Sequence, residues 1–253
     1  MILFFGALSF IPVFSGPQAS NQEQEIQKAK IFEEIYPLIS ESDLYCSFLI
    51  LEDKKLELRI IGAEREYEKT LFTDSDSVYL NKGRKDGLEI GQVFLVLEVG
   101  SNIGDFGPIA FKRGRARIVA LEENGARAEI EKSCSQVQIG NFLIPFEEKE
   151  GILGKDLGYE FSPLEEGKKG KIIYLQTEYN QIGSGHWALI DLGKADGIQV
   201  GQQLVIYRKA LGEVPVEIVG NLVVIDTQKK TSTVKILSCK DALRIGELIQ
   251  TRS

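Results

Sequence analysis

One glycine-punctuated motif occurs twice in this chain of 253 residues. It reads NKGRKDGLEIGQVFLV from Asn81 to Val96 and DLGKADGIQVGQQLVI from Asp191 to Ile206. The three glycines of the first copy recur in the second at a constant distance of 110 residues, and the flanking segments also match. Self-similarity at a fixed distance indicates a tandem duplication. The sequence therefore divides into five segments: a signal-peptide-like segment (1–19), an N-terminal helix and connector (20–54), a first repeat (55–146), a linker (147–166) and a second repeat (167–252).

A shorter pattern occurs twice in each repeat: an apolar residue, any residue, an apolar residue, glycine and a polar residue. Its four glycines are Gly91, Gly140, Gly201 and Gly246. Glycine adopts backbone angles that other residues avoid, so each glycine is expected to form a corner at which the chain turns into a new strand. We expect the apolar residue directly before each corner glycine to enter the core. Further tight turns are predicted upstream, at Asp86-Gly87 and Asp196-Gly197.

A phosphate-binding loop is the alternative interpretation of these glycines, but such a loop opens a helix. The segments that follow, QVFLVLEV and QQLVIYR, are rich in β-branched and aromatic residues and are predicted to be strands. The rest of both repeats consists of short strands separated by turn residues, with a hairpin signal at Asn124-Gly125. This spacing predicts a mainly β protein built as two tandem small β-barrels.

The N-terminal segment carries two different patterns. Ile2–Phe14 is almost entirely apolar and is followed by small residues at Ser15–Ser20, as in a secretory signal. No basic residue precedes the run and Pro12 interrupts it, so a buried strand or helix is the alternative. The signal interpretation predicts a periplasmic or otherwise exported protein, and no later segment is long and apolar enough to predict a transmembrane span.

A short helix is predicted after the signal-like segment. Four apolar residues fall on one helical stripe: Ile26, Ala29, Phe32 and Tyr36. Pro37 ends the pattern. The stripe would pack on this chain or on a partner.

The chain has three cysteines, so an oxidising compartment would allow one disulfide and leave one thiol. Cys46 and Cys134 are the preferred pair, and three buried thiols are the alternative. The sequence contains neither a C-x-x-C motif nor a Cys/His cluster, so we predict neither a metal site nor a cofactor.

Charge restricts the class of partner. The net charge of -7 argues against nucleic-acid binding, which needs a strongly basic face. One basic cluster stands out, at Lys112, Arg113, Arg115 and Arg117. Arg113, Arg115 and Arg117 would share one face of a strand and could contact an anionic partner. The alternative is an exposed face that nearby glutamates balance.

His186 and Trp187 are the single histidine and the single tryptophan of the chain. Together, at the start of a strand, they could line a groove for a sugar or a peptide. The alternative is a loop histidine beside a tryptophan that caps the barrel. Acidic pairs such as Glu122-Glu123 lie in turns or the linker, and neighbours in sequence form a catalytic pair only if the fold brings them together.

These residues support a family resemblance over most of the chain. The segments LNKGRKDGLEIG and GRARIVALEENGARAEIEKSCSQVQIGNFL resemble domains that follow LysM modules in bacterial exported proteins. They are also similar to the C-terminal domain of the flagellar assembly protein T, and the first segment further resembles the β-domains of the rod-shape protein MreC. The corners are similar to those of cradle-loop barrels, although Gln92, Asn141, Gln202 and Glu247 stand where that family has Asp.

The resemblance implies small periplasmic β-barrels that act as scaffold or binding modules, without catalytic residues. We therefore expect a non-enzymatic, exported cell-envelope scaffold or adaptor that binds a protein partner. A module that binds peptidoglycan or another glycan is the alternative, and a hydrolase that uses carboxylates ranks third.

Overall fold

A computed structural model describes residues 36–52, 55–64, 66–159, 167–176, 179–209 and 216–252. Residues 34–253 form one compact unit, which holds both repeats. The signal-like segment lies outside the described residues, and so do Ile26, Ala29 and Phe32 of the predicted helical stripe. Within the described ranges, no helix combines the length and the apolar character needed to span a membrane.

The described chain begins with three short elements. They are β1 (Tyr36–Ile39), α1 (Glu41–Cys46) and β2 (Phe48–Ile50). Tyr36 was predicted to end a helical stripe, but it lies in a strand. A reciprocal cap explains why α1 begins where it does: the Ser40 N–H donates to Asp43 Oδ2 at 2.8 Å, and the Asp43 N–H donates to Ser40 Oγ at 3.3 Å.

The first repeat forms an antiparallel sheet. Its strands are β3 (Ile60–Ala63), β4 (Ser77–Leu80), β5 (Val93–Asn102), β6 (Pro108–Leu121), β7 (Ala126–Ser133) and β8 (Phe142–Pro145). The strand order is β3-β4-β7-β6-β5-β8, and β2 adds a seventh strand by pairing with β6. The edges β3 and β8 meet at a single bridge between Arg59 and Phe142, beside which the Ile60 N–H donates to the Asn141 carbonyl at 2.9 Å.

The linker contributes one strand, and the second repeat contributes six. They are β9 (Ile152–Gly154), β10 (Lys169–Leu175), β11 (Trp187–Ile190), β12 (Gln203–Arg208), β13 (Glu217–Thr227), β14 (Ser232–Cys239) and β15 (Leu248–Thr251). Strand β9 pairs with β1. The other six close into a barrel in the order β10-β11-β14-β13-β12-β15.

The mainly β prediction is confirmed and the second repeat is a closed barrel, but a second closed barrel is not confirmed. Lys169–Lys171 at the start of β10 pair with Leu248–Gln250 of β15 and close the second repeat. In the first repeat β3 begins at Ile60, the counterpart of Ile172 in β10, and the three preceding residues form one bridge, Arg59 with Phe142, in place of this ladder. Each repeat nevertheless encloses its own apolar core.

The corner glycines occupy four equivalent turns. Each has a φ between 87° and 94°, a region that glycine tolerates and other residues avoid. In each turn the residue after the glycine donates its N–H to the carbonyl two residues before the glycine, as from Gln92 to Glu89 at 3.3 Å. These are type II turns, in which the third residue has a positive φ and is therefore usually glycine.

The prediction for the apolar residue before each corner glycine was wrong. These residues are exposed, by 44 to 67%: Ile90, Ile139, Val200 and Ile245. They occupy the second position of the turn, at the outside of the bend. The apolar residue two positions earlier in the pattern enters the interior instead, and Val137, Ile198 and Leu243 are fully or almost fully buried there.

The upstream turns at Asp86-Gly87 and Asp196-Gly197 are also equivalent. Each aspartate ends a short 3-10 turn and accepts a hydrogen bond from the glycine N–H three residues earlier, at 3.0 Å. Each following glycine has a positive φ, 83° at Gly87 and 81° at Gly197. Local sequence therefore determines both turns.

Candidate functional site: a cleft where the two repeats meet

The segment from β1 to β2 lies between the two repeats. Strand β2 pairs with β6 of the first repeat, and its three residues are buried. On the other side, the Thr233 hydroxyl of β14 donates to the Phe48 carbonyl at 2.7 Å. The Phe48 ring packs edge-on against Tyr174 of β10, with 5.3 Å between ring centroids. This segment therefore attaches the first repeat to the second.

Asp43 of α1 is a buried carboxylate that bonds to the second repeat. Its Oδ1 accepts from Trp187 Nε1 at 2.8 Å, and its Oδ2 forms an ion pair with Lys235 Nζ at 2.7 Å. Burial raises the pKa of Asp43, but the hydrogen bonds from Lys235, Ser40 and Trp187 outweigh it, so the pKa lies below its ordinary value of 3.8. Asp43 stays ionised and orients the Trp187 ring.

Lys112 of β6 forms the second buried charge contact at the junction. Its Nζ lies 3.0 Å from Asp226 Oδ2 of β13 and donates to the Leu44 carbonyl at 2.7 Å. Burial lowers the pKa of Lys112, and Asp226 opposes that effect only in part. Burial raises the pKa of Asp226, but Lys112 and Lys149 more than offset this and lower it. The pair joins β6, α1 and the second repeat.

A disulfide completes the attachment of α1. Cys46, at the end of α1, is bonded to Cys134, just after β7, with 5.3 Å between Cα atoms. The bond holds α1 against the first repeat, while Asp43 holds it against the second. Cys239 is a free cysteine of intermediate exposure.

We expect acid to weaken this junction. The pKa values of Asp43 and Asp226 lie below 3.8 in the folded chain, so the unfolded chain binds more protons as the pH falls. Their stabilisation is complete above about pH 5 and is lost progressively below it. The Asp43→Asn and Asp226→Asn variants should each be less stable than the wild type at neutral pH and should lose less stability on acidification.

Urea unfolding at about pH 7 and about pH 4 measures this difference. Asp105→Asn, at an exposed aspartate, is the matched control and should follow the wild type. If the Asp43 and Asp226 variants lost as much stability in acid as the wild type does, these two carboxylates would not be the cause of the acid sensitivity.

A cleft of about 530 Å³ opens beside this junction. Its described walls come from α1, from β6 and the end of β7, and from the second repeat. The lining residues are Glu41, Ser42, Tyr45, Cys46, Phe48, Leu95, Phe111, Lys112, Arg113, Gly114, Arg115, Lys132, Ser133, Cys134, Ser135, Gln176 and Trp187. We call it the junction cleft.

The junction cleft is basic and aromatic. Besides Lys112, whose partner Asp226 is largely buried, three cationic side chains line it: those of Arg113, Arg115 and the exposed Lys132. Among the described lining residues, Glu41 is the one acid. The arginines also stack on rings: the Arg113 guanidinium lies 5.2 Å from the Phe111 centroid, and that of Arg115 lies 5.5 Å from the centroid of Phe146.

The predicted arginine row lies on one face of β6, and glutamates contact each of its members. Arg113 forms an ion pair with Glu98 at 2.6 Å, while Arg115 and Arg117 share Glu131 at 3.3 and 2.5 Å. The three arginines form ion pairs with two glutamates, and a third glutamate, Glu129 of β7, lies opposite Arg117 in the ladder. Arg113 and Arg115 line the junction cleft; Arg117 is outside its described lining.

The two other predicted site residues, His186 and Trp187, do not lie in the same site. Trp187 lines the junction cleft. Its indole N–H donates to Asp43 Oδ1, and its backbone N–H donates to Gln176 Oε1 at 2.9 Å. His186 is absent from the described lining. Its Nδ1 lies 3.2 Å from the Gly183 carbonyl, and its ring lies in a shallow concavity that Cys239 also lines.

Most of the residues that line the junction cleft were not predicted from the sequence. Tyr45 and Phe111 carried no distinguishing pattern, and Lys132 is a single lysine on a polar strand face. The closeness of Cys134 to Lys132 was the available signal, because the Cys46–Cys134 pairing brings α1 to the end of β7.

No family model matches the chain, and no curated protein is significantly similar to it.

Proposed function

We propose that the protein is a non-enzymatic, exported scaffold or adaptor of the cell envelope, and that it holds an acidic, extended segment of a protein partner in the junction cleft. The observation that carries the proposal is the convergence of Arg113, Arg115 and Lys132 with the rings of Tyr45 and Trp187 in one cleft. Arginine and aromatic residues are enriched where proteins bind other proteins.

The spacing of the arginines supports an extended ligand. Arg113 and Arg115 stand at alternate positions of β6 and both line the cleft. Alternate positions of a regular strand are about 6.6–6.8 Å apart. An extended peptide repeats its side chains at the same distance on each face. A segment with acidic residues at alternate positions would therefore match both guanidinium groups, and the rings would contact its apolar side chains.

The Cys46–Cys134 disulfide supports an exported location, because disulfides persist in oxidising compartments and are rare in the cytosol. The signal-like N-terminal segment supports the same location. In the periplasm the disulfide would hold α1 as one wall of the junction cleft.

Binding of a defined peptide tests the proposal. The probe is a ten-residue synthetic peptide of alternating glutamate and phenylalanine, titrated calorimetrically against the full chain. Replacing Arg113 and Arg115 with alanine should weaken binding about tenfold, since two partly exposed charge pairs contribute ~0.5–1 kcal/mol each. Added salt should weaken wild-type binding as well.

Arg117→Ala is the matched control, because Arg117 shares the strand face and Glu131 but is outside the described lining of the cleft. It should bind like the wild type. Equal weakening by Arg117→Ala, or unchanged affinity of the double variant, would discard the proposal.

A glycan-binding module is the second candidate, and the position of Trp187 in the junction cleft favours it. Sedimentation with purified peptidoglycan separates the two. Retention on peptidoglycan without affinity for the acidic peptide would support the glycan module.

A further inference from the structure

The outer face of strands β3 and β4 has a counterpart in the second repeat, the outer face of β10 and β11. The two strand pairs have the same irregularity. The register between β3 and β4 shifts between Ile60 and Gly62, and the register between β10 and β11 shifts between Ile172 and Tyr174. This alignment defines the outward-facing residues that correspond: Ile61 and Ile173, and Tyr79 and Leu189.

In the second repeat this face is covered. Leu189 is 0% exposed and Tyr174 is 6% exposed. They pack in one apolar cluster with Phe48 and Ile50 of β2 and with Ile109 of β6. The cover is therefore an apolar strand that presents an aromatic and an aliphatic side chain from alternate positions.

In the first repeat the corresponding face is open. Ile61 is 52% exposed and Tyr79 is 40% exposed. Gly62 stands where the second repeat has Tyr174. The Glu66 carboxylate accepts from the Ala63 N–H at 3.1 Å and lies beside Gly62, which adds an acid to this face. The same position of the fold thus buries apolar side chains in one repeat and exposes them in the other.

The charge beside the face is reversed between the repeats. Lys235 of β14 lies opposite Trp187 and pairs with Asp43 of the covering segment at 2.7 Å. The equivalent residue in the first repeat is Glu129 of β7, which is exposed and lies between Ser77 of β4 and Arg117 of β6. A segment that covers the first repeat in the same way would meet an acid where Asp43 meets a lysine.

We propose that Ile61, Tyr79 and Glu129, which we call the β3–β4 face, form a docking surface for an apolar strand of a protein partner. That strand carries a lysine or arginine at the position that Asp43 occupies in this chain. The covering segment of a second copy would place Asp43 beside Glu129, and like charges side by side are unfavourable. The surface is separate from the junction cleft and binds independently of it.

Two synthetic peptides test this surface on the full chain. Both comprise residues 43–50 with Cys46→Ser and the same solubilising tag, and one of them also carries Asp43→Lys. Fluorescence anisotropy should show that the lysine peptide binds about threefold more tightly, as a partly exposed charge pair allows. Tyr79→Ser should weaken its binding about tenfold or more, since it removes a central aromatic contact. Glu129→Lys should reverse the preference between the peptides.

Leu153→Ser in β9, at another exposed apolar position, is the control and should leave binding unchanged. Failure of the lysine peptide to bind at up to about 1 mM, a level that detects very weak complexes, would overturn the proposal. Binding that ignores Tyr79→Ser or Glu129→Lys would also overturn it. Self-association in sedimentation that Tyr79→Ser abolishes would identify a second copy as the occupant and would overturn the proposed partner. The Arg113/Arg115 double variant should bind the lysine peptide normally, so failure of this surface and failure of the junction cleft are distinguishable.

Discussion

Replacing Lys112 with methionine should lower the free energy of unfolding by about 3–5 kcal/mol. The substitution keeps most of the side-chain volume but removes the cation that lies 3.0 Å from Asp226. Asp226 would then remain in a largely buried site, with Lys149 3.9 Å from its other oxygen as a partial substitute. The Leu44 carbonyl would also lose its donor. Urea unfolding of the full chain measures the change.

Two further variants show whether the charge pair causes the loss. Lys132→Met, at an exposed lysine, should change stability by less than about 0.5 kcal/mol. Lys112→Met combined with Asp226→Leu should recover much of the loss, because the second change removes the unpaired buried carboxylate. A Lys112→Met protein as stable as the wild type would contradict the assigned role of this pair.

The Cys46→Ser/Cys134→Ser protein should be less stable than the wild type by about 2–5 kcal/mol. The two cysteines are 88 residues apart in sequence, so the disulfide closes a long loop in the unfolded chain. In the folded chain the bond also holds α1 as a wall of the junction cleft. Affinity for the acidic peptide should therefore fall together with stability.

Cys239→Ser is the control for this prediction, because Cys239 is free and outside the described lining of the cleft. Reductant should destabilise the wild type and Cys239→Ser equally and leave the double variant unchanged. A double variant with wild-type stability in the absence of reductant would show that the bond does not constrain the chain.

The repeat architecture could be predicted because its signals are local. A type II turn favours glycine at its third position. At Gly91, Gly140 and Gly201 the side chain of the polar residue after the glycine also accepts from the backbone N–H two residues before the glycine. Asn141 Oδ1 accepts from the Gln138 N–H at 2.8 Å, for example. Four copies of such a turn are visible in sequence without any knowledge of tertiary contacts. The outward direction of Ile90 was missed because apolar character alone does not reveal position within a turn.

The junction could not be predicted, because its contacts join residues far apart in sequence. Asp43 reaches Trp187 and Lys235 across 144 and 192 residues, and Lys112 reaches Asp226 across 114. Helix α1 has six residues and β2 has three, too few to show a period. The two repeats also differ at the closing edge, where the second has three paired residues and the first has one bridge, and the matching sequence motifs do not reveal this difference.

The candidate site was predicted in part for the same reason. The arginine row of β6 was visible as an alternating pattern, whereas its closeness to Trp187 depends on the packing of one repeat against the other. His186 is next to Trp187 in sequence, but it precedes β11 and its ring contacts the Gly183 carbonyl of the preceding turn. Both residues were assigned to one groove from the sequence, whereas Trp187 lines the junction cleft and His186 is outside its described lining.

The location of the bound acidic peptide tests the central claim most directly. A glutamate–phenylalanine peptide with one photoreactive phenylalanine can be crosslinked to the full chain and the modified residues mapped by mass spectrometry. The proposed function predicts crosslinks at Tyr45, Phe111 or Trp187, lost in the Arg113→Ala/Arg115→Ala protein and retained in Arg117→Ala. Crosslinks confined to other surfaces, and unchanged in the double variant, would contradict the junction cleft as the binding site.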